Sequence, residues 1–113
     1  WNSNENRHRV HLMCRLVQIF QGIYSGKVDA KLEESWVWMV TLKDAIYVAS
    51  QEVLRYTRVN AVVYFSVHSF TLTQIVSAHK NDGVRLLAIK FIEIVILLFT
   101  PEPNGPAQPP PMQ

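Results

Sequence analysis

The stretch His79–Pro103 reads HKNDGVRLLAIKFIEIVILLFTPEP. A membrane span, a buried strand and an interior helix all fit so dense an apolar run, and each implies a different fold. Length separates them. A span needs about 20 apolar residues to cross roughly 30 Å of hydrocarbon. Val84–Phe99 is sixteen residues and is interrupted by Arg85, Lys90 and Glu93. Charges near the centre of a span cost about 2.5–3.5 kcal/mol each on insertion, so no membrane crossing is expected. Asn81-Asp82-Gly83 is also a hairpin-turn signal. The residues after it, however, outrun the usual strand of about 3–10 residues and do not alternate.

A helix remains. Asp82 is placed to cap its first turn, Lys90 and Glu93 are spaced to pair, and Pro101 ends it. Arg85 is expected to reach a neighbouring repeat, and Leu86, Ile89, Ile92, Val95 and Ile96 to supply the core. Because the helix is apolar nearly all round, it must be buried on more than one side. About ten large side chains represent roughly 15–30 kcal/mol of gross burial free energy. One helical hairpin cannot cover them, whereas a stacked helical array supplies neighbours on both flanks.

Working back along the chain, residues 7–24 repeat apolar positions at helical spacing. Leu12, Leu16, Ile19 and Ile23 form one stripe, with Met13, Val17, Phe20 and Tyr24 beside it. Gly26 sits where a helix terminus favours positive φ. Asp29 is positioned to cap a second helix over roughly 30–51, with Glu33 and Glu34 near the positive end of its dipole. Its expected inner stripe is Leu32, Trp36, Met39, Val40, Ile46 and Ala49, with Lys31, Glu34, Ser35 and Thr41 on the wet side. Residues 1–51 therefore read as an antiparallel helical hairpin. Residues 52–79 differ in texture: Val62, Val63, Tyr64, Phe65, Val67, Phe70 and Thr71 favour strand locally. They read as an irregular or β-prone insert between the hairpin and an interior helix at 80–100. All six prolines lie in 101–113, which reads as an extended or disordered linker.

Composition narrows the function classes. The net charge is +2 and the eleven Lys and Arg residues are scattered, without the basic run that tracks a phosphate backbone. Direct nucleic-acid binding is not expected. The single cysteine, Cys14, permits no internal disulfide and suits a reducing compartment. The amino-terminal WNSNENRHRV is not a secretory signal, and a start at Trp1 suggests a fragment or truncated gene product. His8, His11 and Cys14 drift around one helix and lack a fourth donor, so surface histidines and a core thiol are the simpler reading than a metal site. His68 and His79 have no carboxylate or nucleophile partner nearby in sequence, and Ser66 and Ser69 lie in no nucleophile elbow. No glycine-rich phosphate loop is present. Trp36, Trp38 and Met39 read as packing residues rather than a ligand box. No enzyme, metal or cofactor is expected.

Two blocks carry a family resemblance. GKVDAKLEESWVWMVTLKDAI and NDGVRLLAIKFIEIVILLFTPEPNG are similar to the amino-terminal HEAT-repeat region of symplekin, plant-type members in particular. The first holds Glu33-Glu34-x-Trp36-x-Trp38-Met39 leading to Lys43-Asp44-Ala45. The second holds Asn81-Asp82-Gly83-Val84-Arg85, Ala88 to Glu93, and Leu97-Leu98-Phe99-Thr100-Pro101. The resemblance covers about half of the chain and leaves residues 52–79 unmatched, as a translated intron or a lineage-specific insert.

The resemblance implies an all-α fragment of a HEAT-type α-solenoid. It implies a nuclear scaffold that assembles the mRNA 3′-end cleavage and polyadenylation machinery. It also implies contact with a phosphatase acting on the RNA polymerase II carboxy-terminal repeat. Asp82, Arg85, Leu86, Ile89, Ile92, Val95, Ile96, Trp36 and Met39 are then cap and repeat-packing residues. Lys43, Asp44 and Lys90 are expected partner contacts. A small membrane-associated protein using 84–99 and an unrelated HEAT or armadillo adaptor are the competing readings.

Overall fold

The computed structural model describes residues 3–29 and 31–100, with side chains from Asn6 onward. Four helices follow in order: α1 (Ser3–Tyr24), α2 (Leu32–Tyr47), α3 (Gln51–Ala78) and α4 (Asp82–Leu97). Among the described residues all regular structure is helical, so the all-α expectation is met. The tail at 101–113 lies outside the described residues.

In α1 the apolar stripe faces the core: Leu12, Met13, Leu16, Val17, Phe20 and Ile23 are buried. Ile19 packs part-buried against them, and Tyr24 at the helix end is exposed. Gly26 turns the chain with φ +76°, a conformation that costs a side-chain-bearing residue energy.

The start of α2 corrects the expected cap. Asp29 lies outside the helix, and Lys31 holds the cap position with no side-chain hydrogen bond. Glu33 and Glu34 still place negative charge at the helix's positive end. The buried residues are Ser35, Met39, Leu42 and Ile46. Ser35, expected on the wet side, is therefore inside, and Val40, expected inside, is 49% exposed. The helix stops at Tyr47 rather than near Gln51. Ser50 takes extended backbone angles to cap the next helix, and its side chain accepts from the Val53 N–H at 3.2 Å.

Residues 52–79 are not an irregular or β-prone insert. They form almost all of α3, a continuous helix of 28 residues, about 42 Å long. Local preference for strand among Val, Thr and Tyr amounts to only a few tenths of a kcal/mol per residue. Burial overrides it. Leu54, Thr57, Ala61, Leu72 and Ile75 are buried, and Tyr64 and Phe65 pack part-buried between them. These positions recur at intervals of three and four, the spacing of one helical face. The Ser66 and Ser77 hydroxyls donate back to the Val62 and Thr73 carbonyls, at 2.9 and 2.8 Å, instead of competing with the helix.

The interior-helix expectation for α4 holds in kind but not in detail. Asn81, not Asp82, is the N-cap: it has φ −93° and ψ 118°, and its side-chain oxygen accepts from the Val84 N–H at 3.1 Å. Asp82 is already helical and pairs with Arg85. Arg85 does not reach the other hairpin. Its guanidinium donates to the His79 carbonyl and to Asp82, both at its own helix start. The core is made by Val84, Leu87, Ala88, Phe91, Ile94, Val95 and Leu98. Of the expected core residues Val95 is buried and Ile92 part-buried, whereas Leu86, Ile89 and Ile96 are exposed. A helix apolar on every side carries no phase in its sequence, so its neighbours decide which residues turn inward.

The pattern of packing defines the architecture. The broad contacts are α1 with α3, α2 with α4, α1 with α2, and α3 with α4. An up-down-up-down bundle would put α2 beside α3 and α4 beside α1, with α1 and α3 on the diagonal. Here the helices form two hairpins, α1–α2 and α3–α4, lying side by side. The two long helices make one layer and the two short helices the other.

Like helices run parallel. Arg9 near the start of α1 meets Thr57 near the start of α3, and Tyr24 at the end of α1 meets Phe70 in the second half of α3. Likewise Leu32, opening α2, lies over Gly83, opening α4. A Cβ on Gly83 would come within 2.7 Å of the Leu32 Cδ1 atom. This side-by-side hairpin stack is compatible with a fragment of a helical solenoid.

Between the layers Phe91 of α4 meets Phe20 and Phe65 at centroid distances of 5.5 and 6.1 Å. A polar link ties the two long helices. The buried Arg9 donates through Nε to Thr57 Oγ1 at 3.1 Å, and the Thr57 hydroxyl donates to Asn6 Oδ1 at 3.0 Å. A second arginine secures the second hairpin: Arg58 Nη1 donates to the Leu98 carbonyl at 3.0 Å, beyond the end of α4.

Candidate functional site

Among the surfaces of a two-hairpin stack on which a partner could sit are the cleft between the short helices and the two outer edges. The cleft between α2 and α4 has a volume of about 360 Å³. Trp36 and Met39 form its floor, Met39 being buried and Trp36 part-buried. Lys43 and Tyr47 on α2 face Lys90 and Glu93 on α4 across it. Lys90 Nζ lies 3.2 Å from Glu93 Oε1, an exposed pair of the kind worth only a few tenths of a kcal/mol. The cleft thus unites two of the three expected partner contacts, Lys43 and Lys90. Asp44 is exposed but does not line it.

The edge beyond the second hairpin is apolar. Ile89, Ile92 and Ile96 fall on one stripe of α4, with Phe99 just past the helix end, turned away from the α2-facing positions Lys90, Glu93, Ile94 and Leu97. Phe99 shares a groove with Val62, Phe65, Ser66 and Ser69 of α3. Ile96 and Phe99 are each 50% exposed, and Val62 is 52% exposed. Leu86, also exposed, lies on the outer side of α4. These edge residues depend on helix phase, which the even apolar texture of α4 hides. The signal for α3 was available in the three-and-four spacing from Leu54 to Ile75.

The opposite edge, on α1 and α2, is polar. Arg7, His11, Arg15 and Gln18 are exposed along α1. The Arg15 guanidinium lies 4.9 Å from the Trp38 ring centroid, and His11 meets the same ring edge-on at 6.5 Å. Cys14 faces elsewhere, toward Tyr64 of α3, so His11 and Cys14 serve different contacts. Burial, reinforced by the charge and hydrogen bond of Cys14, raises the Tyr64 phenol above its ordinary value of 10.0.

Among the described residues no group of three His, Cys, Asp or Glu side chains could hold a metal ion. Glu33 and Glu34 are exposed in the first turn of α2. Ser66 is engaged with its own helix.

A family model described as Symplekin/PTA1 N-terminal matches residues 11–111. The chain belongs to the symplekin/PTA1 N-terminal family. The matched range runs across residues 52–79, the segment that folds as α3 in the second hairpin. No curated protein and no solved structure matches the chain. Membership in the symplekin/PTA1 family suggests a scaffold role in mRNA 3′-end processing, and a stack of helical hairpins is compatible with it.

Proposed function

We propose that this chain is a partner-presenting segment of a symplekin-type scaffold that works in the nucleus on mRNA 3′-end cleavage and polyadenylation. The observation that carries the reading is the side-by-side hairpin stack. It holds α2 and α4 in a fixed register and offers a cleft with an aromatic floor and a charged rim. Aromatic anchors in a preformed cleft with polar surroundings are a common design of protein-recognition surfaces.

In this reading Lys43, Asp44 and Lys90 contact protein partners of the cleavage and polyadenylation machinery, a phosphatase of the RNA polymerase II carboxy-terminal repeat among them. Trp36 and Met39 hold the floor. Asp82 and Arg85 fasten the start of α4, while Val95, and Ile92 in part, serve its packing. The chain has no catalytic or cofactor role. Affinity purification of the tagged chain from nuclear extract tests this. Cleavage and polyadenylation factors should be recovered, and their recovery should fall for Lys43→Glu/Lys90→Glu. Their absence from the wild-type eluate would refute the scaffold assignment.

A membrane reading has one observation in its favour. By length and composition α3 is long and apolar enough to cross a membrane. However, α3 packs on α1 and on α4 and carries the buried polar link through Thr57. Extraction of the expressed chain by high salt without detergent is the expected outcome. A requirement for detergent would favour the membrane.

A further inference from the structure

We propose that His79 is a proton-operated latch on the start of α4: its neutral ring holds the turn between α3 and α4, and protonation releases it. His79, Lys80 and Asn81 carry the chain from one helix into the next, and bonds converge on the first of them. His79 Nδ1 accepts from the Asn81 N–H at 3.0 Å. The His79 carbonyl accepts from the Arg85 guanidinium, which also holds Asp82. Asn81 in turn caps α4 by accepting from the Val84 N–H at 3.1 Å. The residue that fixes the first turn of α4 is thus itself fixed by the lone pair of an imidazole.

An accepting Nδ1 carries no proton, so the folded turn selects the neutral ring with its proton on Nε2. A second proton has one place to go. There it turns the acceptor into a donor that faces the Asn81 N–H. The charged neighbours offer no compensation. Lys80 is next in the chain, Arg85 lies across the turn, and the Asp82 carboxylate is taken by Arg85. From α1 the titratable neighbour is Tyr24, which with His79 and Lys80 lines a hollow of about 310 Å³. From α2 Leu32 reaches the turn over Gly83, with Lys31 and Glu33 beside it in sequence. Among the described residues no carboxylate pairs with His79. The bond is present while the ring is neutral and is lost as the ring takes up its proton, which an ordinary imidazole does near pH 6.5. Buried Leu87, Phe91 and Val95 keep the body of α4 in place, so the release is local to the turn.

An NMR titration of the full 113-residue chain between about pH 8 and about pH 5 tests the latch directly. The neutral His79 ring should carry its proton on Nε2, and the Asn81 amide should shift in step with protonation of that ring. Urea unfolding supplies the second arm. His79→Asn offers a side-chain carbonyl to the N–H two residues on, a bond that does not titrate. His79→Ala offers none. Between about pH 7.5 and about pH 5.5 the wild-type folding constant should fall about two- to tenfold more than that of His79→Asn, the worth of one neutral hydrogen bond. His79→Ala should start lower at the upper pH and then run parallel to His79→Asn. His8, His11 and His68 are common to all three chains, so their protonation cancels in the comparison.

Equal pH profiles for wild type and His79→Asn overturn the proposal. So does an Asn81 amide indifferent to the His79 titration, or a neutral ring with its proton on Nδ1. None of these outcomes touches the scaffold reading, because recovery of processing factors at neutral pH does not depend on release of the turn.

Discussion

Replacing Thr57 by valine asks whether α3 belongs to the fold. Valine keeps the branched shape and removes only the hydroxyl. That hydroxyl is fully buried, accepts from Arg9 Nε at 3.1 Å and donates to Asn6 Oδ1 at 3.0 Å. A hydrogen bond to a charged group contributes about 1.5–3 kcal/mol and a neutral one about 0.5–1.5 kcal/mol. Arg9 is itself only 3% exposed, so its Nε loses a buried acceptor. Thr57→Val should therefore cost about 2–4 kcal/mol. With a urea m-value of roughly 1–2 kcal/mol/M for a domain of this size, the unfolding midpoint should fall by about 2 M at unchanged slope. A cycle with Arg9→Met should return a coupling of about 1–3 kcal/mol, because the two residues lose the same bond. A change within about 0.5 kcal/mol of wild type, the behaviour of an ordinary surface position, would refute the packing of α3 on α1. It would return residues 52–79 to the status of an unattached insert.

Three further outcomes follow from local geometry. Asn81→Ala should destabilise the chain by about 1 kcal/mol through loss of the cap on Val84 N–H. Asp82→Asn should cost about half that, and urea titration of both variants reveals which residue is the cap. Gly26→Ala puts a side chain at φ +76° and should cost about 1–2 kcal/mol. This will appear in thermal melting as a drop of roughly 4–16 °C. The raised phenol of Tyr64 makes stability depend on alkaline pH. Its folded state holds the proton more tightly than the unfolded state, so its contribution is complete below pH 10.0 and is lost as pH rises from there through the folded value. Tyr64→Phe should flatten the decline of stability above pH 10.0 relative to wild type, measured by urea unfolding on both sides of that pH.

How much of this could be read in advance depended on contrast within each segment. Residues 7–24 place Arg, His and Gln on one side and Leu, Met, Val and Phe on the other, so the helix and its buried face were both evident. The apolar run after Gly83 announced a helix but not its rotation. Leu86 was expected inside and Leu87 is inside, a difference of one residue or about 100°. The α3 segment was misjudged because β-branched residues dominate its exposed side. Its inward positions include Thr57 and Ala61, which look unlike a core until Arg9 and the neighbouring helices are in place. The family blocks identified a symplekin-type chain, yet Lys43 and Lys90 met across a cleft only once α2 and α4 were known to run parallel. The apolar edge was the least legible feature, since it combines the phases of two helices.

The joint between the two unequal layers carries a mechanical consequence. The long layer has helices of 22 and 28 residues, and the short layer has two of 16. Arg9 and Arg58 both tie into the end of the short layer: Arg9 Nη1 donates to the Ala45 carbonyl at 3.5 Å and Arg58 Nη1 to the Leu98 carbonyl at 3.0 Å. Each hairpin is thus fastened at the same end by a bond of fixed direction as well as by apolar packing. Slipping of the short layer along the long one would have to break those bonds, which apolar contact alone would not resist.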